Sequence, residues 1–320
     1  MPSPERSAPP WARRSSRDSD GDGAFFINLP VGVYTVIAGR KNLHESSDPQ
    51  TQVPSPVGVI LIAGAAGLLS YSLIGTDDYG WLSARTIGVL GAGLVVLAVF
   101  VAHQHRTKAP ALDLDLFRNA NFRWANLAML VFGTAFAALF FGSILFLTDV
   151  WEWSVLQAGF GVAPGPVAVG LLAPRVGKLA GRIGQRPILL LGGVLFAGSG
   201  LLRLMMLGPH VNYLRDFFPS MVLSGFGVAC VFPQLSSVVA QALPSGRAGV
   251  GGAAAQAVRQ FGGTFGVALT IAFLGASDAV IDGFDLIWWM IVVGGLATSA
   301  LVLPMRTARA ERPVADTPTR

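Results

Sequence analysis

Charge is scarce in this chain. Asp, Glu, Lys and Arg make up 13% of its 320 residues, against about 25% in an ordinary soluble domain. Cysteine is scarcer still. Cys230 stands alone in an apolar stretch, which excludes an internal disulfide and a multi-cysteine metal site and leaves it as a small packing residue. The four histidines, His44, His103, His105 and His210, sit at the edges of apolar runs or in loops, and of the 18 acids only Asp149 touches an apolar run. An integral-membrane enzyme would need clustered His, Asp or Glu at one face. None is visible, so neither an enzyme nor a metal or cofactor is expected. The first 23 residues lack an apolar core and do not read as a cleavable signal peptide.

What replaces charge is hydrophobicity and glycine: 52% hydrophobic residues, 39 glycines and a mean hydropathy of +0.57. Small residues let apolar helices pack closely in lipid, so the composition indicates an all-α integral membrane protein with the lipid bilayer as its first partner. The excess of 23 Lys and Arg over 18 acids falls in short gaps between apolar runs. It is read as loops facing anionic lipid, not as a nucleic-acid surface.

A membrane helix needs roughly 20 mostly apolar residues to cross a ~30 Å hydrocarbon layer. Nine candidates are predicted: 24–39, 56–76, 83–103, 122–148, 156–176, 187–208, 217–241, 249–275 and 284–305. The first is short and contains Pro30. Lys and Arg gather in alternate gaps: Arg40 and Lys41, then Arg106 to Arg123, Arg175 to Arg186, Arg247, and the tail from Arg306. The positive-inside bias therefore places the C-terminus in the cytoplasm. The opposite gaps hold just Arg85 and Arg215, and the segment that breaks the pattern is the tail over 1–23, rich in Pro, Ser, Arg and Asp and read as disordered, with Arg6, Arg13, Arg14 and Arg17.

The order of short motifs resembles the fourteen-helix drug:proton antiporter branch (EmrB/QacA type) of the major facilitator superfamily. "FFINLPVGV" at 25–33 resembles the start of that family's sixth helix, and "RKNLHESSDPQ" at 40–50 the loop after it. "PALDLDLFRNANF" at 110–122 is similar to the loop entering the family's second half. "GKLAGRIGQRP" at 177–187 resembles the second-half basic loop, and "PSGRAGVGGAAAQAVRQFGGTFGVAL" at 244–269 the penultimate helix. The resemblance implies a last helix of an N-terminal bundle at 24–39, a cytoplasmic loop at 40–55, two linker helices within 56–105, and a second loop at 106–121. A six-helix C-terminal bundle at 122–305 and a cytoplasmic tail at 306–320 follow. It implies an N-terminally truncated multidrug efflux transporter of the bacterial cytoplasmic membrane. Its partners would be small amphipathic or cationic solutes, protons and a missing N-terminal half. The alternative is a non-transporting or partner-dependent fragment.

Within this frame the candidate pathway residues are Arg259, Asp149, Pro233 and Gln234. Arg259 lies about eleven positions into the span 249–275, where an uncompensated Arg costs ~2.5–3.5 kcal/mol on insertion scales. It is read either as a cavity residue or as one bonding neighbouring helices. Arg203, near the end of its span, is expected to snorkel outward. Asp149, beside Trp151, Glu152 and Trp153, reads as part of an interfacial belt or as an outer gate. Gly177, Lys178, Arg182, Gly184 and Arg186 form a candidate conformational loop. There Gly177 and Gly181 are expected to permit close backbone approach, and the two arginines to bond carbonyls at helix ends. Gly181 replaces the acid of the family pattern. Gly262 and Gly266 form a GxxxG packing face. Pro164, Pro166, Pro174 and Pro233 are read as kinks or gates. Asp113 and Asp115 alternate with leucines in an amphipathic linker.

Overall fold

The computed structural model describes residues 32–35, 37, 55–74, 80, 83–107, 114–243, 248–276 and 280–305. Two units divide the chain, Met1–Gln52 and Val53–Arg320. In the first, residues 32–35 and 37 are helical. The rest of the span 24–39, the tail over 1–23, the motif "RKNLHESSDPQ", Asp113, Arg247 and the tail from Arg306 lie outside the described residues.

Every regular element among the second unit's described residues is a helix. Helices α1 (Pro56–Ile74) and α2 (Ala84–Arg106) pack on each other. Ser83 caps α2, its hydroxyl accepting from the Thr86 amide at 3.1 Å. A 3-10 turn over Leu114–Arg118 carries an exposed Arg118–Asp115 ion pair at 3.9 Å. It leads into α3 (Ala120–Leu145), whose first amides are capped by the Asn119 carboxamide. A π-turn over Phe146–Val150 ends that span.

Ser154 opens α4 (Val155–Val162) with a capping box to Gln157. Pro164 then begins α5 (Pro164–Ile183). Helix α6 (Gln185–Met206), a π-turn over Tyr213–Phe217, α7 (Phe218–Gln241), α8 (Ala248–Gly275) and α9 (Val280–Val302) complete the unit. Eight segments among the described residues are long and apolar enough to cross a membrane, so this is a multi-pass membrane protein. The ninth predicted span is the one at 24–39.

Helix α3 packs against α7, α8 and α9; α6 packs against α7 and α9; α5 packs against α7. Small residues set these distances. A Cβ at Gly227 would stand 2.9 Å from the Gly192 carbonyl oxygen, and one at Gly295 2.6 Å from that of Gly193. Long-range bonds tie the helix ends together. Asn119 Nδ2 donates to the Ala242 carbonyl at 3.1 Å, and Trp151 Nε1 to the Gly208 carbonyl at 2.9 Å.

Four expectations are corrected here. Helix α5 runs to Ile183, seven residues past the predicted end at 176, so Lys178 and Arg182 ride on a helix and not in a loop. The whole turn is Gly184 at φ +91, a backbone state that only glycine adopts without strain. Helix α9 begins at Val280 and takes Asp282 and Asp285 into its first turns, so Asp149 is not the sole acid on a span. Trp151 is buried, 4% exposed, and belongs to the core instead of an interfacial belt.

Arg203 does not snorkel. It is fully buried, its Nη1 donating to Ser143 Oγ and its Nη2 to Met221 Sδ, both at 2.8 Å. Its guanidinium carbon lies 4.9 Å from the Phe217 ring centroid and 4.7 Å from that of Trp288. Ring faces carry negative potential and attract a desolvated cation. Three more rings join this knot: Phe146 meets Trp151 at 5.5 Å and Trp288 at 5.9 Å, and Phe284 meets Trp288 at 6.0 Å.

Candidate functional site: an aromatic groove along one helix

Helix α3 also carries a second set of rings. Phe132, Phe136 and Phe140 recur every four residues, so they form one stripe along the helix. Phe132 is fully buried, Phe136 partly, and Phe140 is 37% exposed. Phe232 from α7 meets the stripe edge-on, at 5.0 Å from Phe132 and 5.3 Å from Phe136. Such edge-to-face pairs hold the rings in fixed orientation.

Two hollows share Phe136 and Phe140. One, of about 300 Å³, is lined by Gly133, Ala137, Phe232, Arg259, Gln260 and Val267 among others, from α3, α7 and α8. The other, of about 330 Å³, is lined by Gly165, Pro166, Val169, Met221, Ser224 and Val228 among others, where α3, α5 and α7 meet. Phe136 and Phe140 wall both hollows, which lie side by side as the polar and apolar arms of a candidate groove.

The polar arm depends on how closely α8 approaches α3. A Cβ at Gly262 would stand 2.6 Å from the Leu130 carbonyl oxygen, and one at Gly266 would overlap the carbonyl oxygen of Thr134. A Cβ at Gly133 would stand 3.3 Å from the carbonyl of Arg259 itself. This contact places the Arg259 side chain at the groove. Its Nε donates to Gln256 Oε1 at 3.2 Å, and its guanidinium carbon lies 5.8 Å from the Phe232 centroid.

The other sequence candidates are scattered. Pro233 is exposed within α7, directly after Phe232, and its missing amide leaves the Ala229 carbonyl without a helical donor. Gln234 is buried, 4% exposed. Asp149 is exposed in the π-turn closing α3, accepting from Thr148 Oγ1 at 2.8 Å, and lines neither hollow.

Gly177, Lys178, Arg182 and Arg186 are exposed, and nothing lies within 4 Å of a Cβ built at Gly177 or Gly181. The close approach expected at those two glycines is therefore not made. Among the described residues the bond that ties this end together is Gln185 Nε2 to Ser237 Oγ at 2.7 Å, which the sequence did not suggest. Sequence reasoning also missed Phe136, Phe140, Phe232 and Gln260. The four-residue spacing of phenylalanines on α3 was the one signal that could have found some of them.

A model of the Major Facilitator Superfamily matches residues 51–267, a stretch that includes every residue named in the groove. Among curated relatives, Multidrug resistance protein Stp of Mycobacterium tuberculosis is 31% identical over 256 residues, covering 79% of this chain and 46% of that protein. Tetracenomycin C resistance and export protein of Streptomyces glaucescens is 30% identical over 253 residues, 78% of this chain and 46% of that protein. Multidrug export protein EmrB of Escherichia coli K12 is 26% identical over 253 residues, 77% of this chain and 48% of that protein. The chain spans about half the length of these relatives.

Proposed function

This chain belongs to the major facilitator superfamily, and from that premise we propose that its groove is one wall of an efflux pathway for small amphipathic molecules. The observation that carries the reading is the pair of groove-lining rings, Phe136 and Phe140, beside a guanidinium within the span of α8. Binding sites for small organic molecules are mostly apolar with a few placed polar groups, and both arms of this groove have that character. Transporters of this kind bind solute near mid-membrane, between two helical bundles. The names of the relatives, which refer to multidrug resistance and export, agree with the reading. The protein acts by binding and rearrangement, with no bond made or broken.

In this reading α3 to α9 form the C-terminal six-helix bundle, α1 and α2 the linker pair, and 24–39 the last helix of an N-terminal bundle. The basic ends of α5 and α6 face the cytoplasm of a bacterium, as does the C-terminus. Lys178, Arg182 and Arg186 are free to meet acidic groups or helix-end carbonyls in one state of the cycle, and Gly184 is the pivot between the two helices.

A second reading shares this geometry: the bundle binds solute but moves it only with a facing bundle supplied. The one-sided lining, from α3, α5, α7 and α8 alone, favours it. Dye binding to the purified chain in maltoside micelles tests the common core. Phe136→Ala is expected to weaken an amphipathic dye about tenfold, the loss of ~1.4 kcal/mol of ring contact, and unchanged affinity would sink the pathway wall. Expression alone in a drug-sensitive bacterium separates the two readings: energy-dependent dye extrusion supports autonomous transport, and its lack supports partner dependence.

A further inference from the structure

We infer that the groove is built for aromatic anions: a ring system in the apolar arm, and a carboxylate, sulfonate or phenolate at Arg259. The inference rests on the pathway-wall reading and narrows its substrate class, away from the cationic solutes that family resemblance suggests.

Three observations lead there. First, Arg259 lies inside the span Gly251–Gly275, yet it is not locked into the protein as Arg203 is. Its Nε is engaged by Gln256, and its two terminal nitrogens have no hydrogen-bond partner among the described residues. A guanidinium presents those nitrogens as a flat fork that matches a carboxylate or sulfonate with two parallel bonds. Second, neither ion pair among the described residues, Arg118–Asp115 or Arg215–Asp216, involves Arg259. Among the described residues, the lining of both hollows includes no carboxylate. In a low-dielectric groove an unneutralised positive charge repels a cation and attracts an anion. Third, the hollows meet at Phe136 and Phe140, so a molecule stacked on those rings reaches Arg259 at one end and Val169, Met221 and Val228 at the other. The amides of Gln256 and Gln260 flank the charge and can serve either sign, so Arg259 alone decides the preference.

The test uses the full chain in maltoside micelles and two probes of one shape: a 2-naphthyl sulfonate and a 2-naphthyl trimethylammonium salt, followed by naphthalene fluorescence. Wild type is expected to bind the sulfonate at least tenfold tighter than the ammonium. Arg259→Gln should lower sulfonate affinity about tenfold while leaving or raising that of the ammonium, and Arg259→Lys should restore most of the loss. Equal binding of the two probes, or a sulfonate preference that survives Arg259→Gln, overturns the inference. Phe136→Ala separates this failure from failure of the wall itself. If it weakens both probes while Arg259→Gln changes neither, the wall stands and the charge preference falls. If Phe136→Ala changes neither probe, or if neither binds wild type, both ideas fall. Phosphatidylglycerol added at equal concentration should leave the sulfonate bound; full displacement would assign the site to a lipid headgroup and overturn the inference as well.

Discussion

Arg203 and Arg259 both lie on apolar helices of this protein, and their surroundings are opposite. Arg203 on α6 is sealed between Phe217 and Trp288, with Ser143 and Met221 taking its terminal nitrogens. Arg259 on α8 stands at an open groove with one bond to Gln256. Burial and ring contact make the first part of the core. Exposure and free donors leave the second able to meet something else. The direction each side chain takes from its helix separates the two roles.

The same contrast divides the glycines, and the largest expected effect lies there. At Gly266 an added side chain meets the Thr134 carbonyl and, at 2.8 Å, the Ala137 methyl. Backbone cannot move aside as a flexible side chain can, so Gly266→Val is expected to cost ~3 kcal/mol, the upper part of the usual overpacking range. Gly177→Val, where nothing lies within 4 Å, should cost little beyond its helix propensity. Cys230, buried and single, provides the measurement: a thiol-reactive dye labels it as the bundle opens on heating. A midpoint for Gly266→Val equal to that of Gly177→Val would remove the claimed difference between the two glycine pairs.

Arg203→Ala comes next. It empties the space between two rings but also removes a charge with no carboxylate partner among the described residues, so the expected loss is ~2 kcal/mol, less than for an apolar side chain of that size. Arg203→Met should recover most of it, because a well-packed apolar replacement of a buried charge is often neutral or stabilising. A midpoint for Arg203→Met as low as that of Arg203→Ala would mean that the charge itself, held by its rings, is what stabilises the knot. Gly184→Ala is smaller again: at φ +91 an added Cβ costs ~1 kcal/mol of backbone strain, read in the same assay, and no change would show that the α5–α6 turn relaxes easily.

The spans themselves were legible because length and apolarity are one-dimensional properties. Predicted segments at 56–76, 83–103 and 217–241 fall within a few residues of α1, α2 and α7. What escaped was azimuth. Lys178 and Arg182 looked like loop residues because charge usually ends a membrane helix, yet α5 carries both on an exposed side to Ile183. Arg203 looked free to snorkel because it lies near a helix end, but its helix turns it inward. Phe232 had no distinguishing mark among the 20 phenylalanines of an apolar chain, and Phe136 had only its four-residue spacing from Phe132 and Phe140. Only the packing of three helices gathers them into a groove.

The smallest effect on stability is expected at Arg259, and it is the most informative. The side chain is partly exposed and holds one neutral bond along its own helix, so Arg259→Gln should shift the Cys230-labelling midpoint by the equivalent of under ~0.5 kcal/mol, as for an ordinary surface change. Membrane insertion of Arg259→Leu should be intact or improved, since an Arg deep in a span opposes insertion. Glycosylation-site mapping or protease protection of the membrane-inserted chain would read this directly. Failed insertion of the leucine variant, or a midpoint drop as large as that of Arg203→Ala, would place Arg259 in the fold's own framework. The two arginines would then differ in location but not in kind.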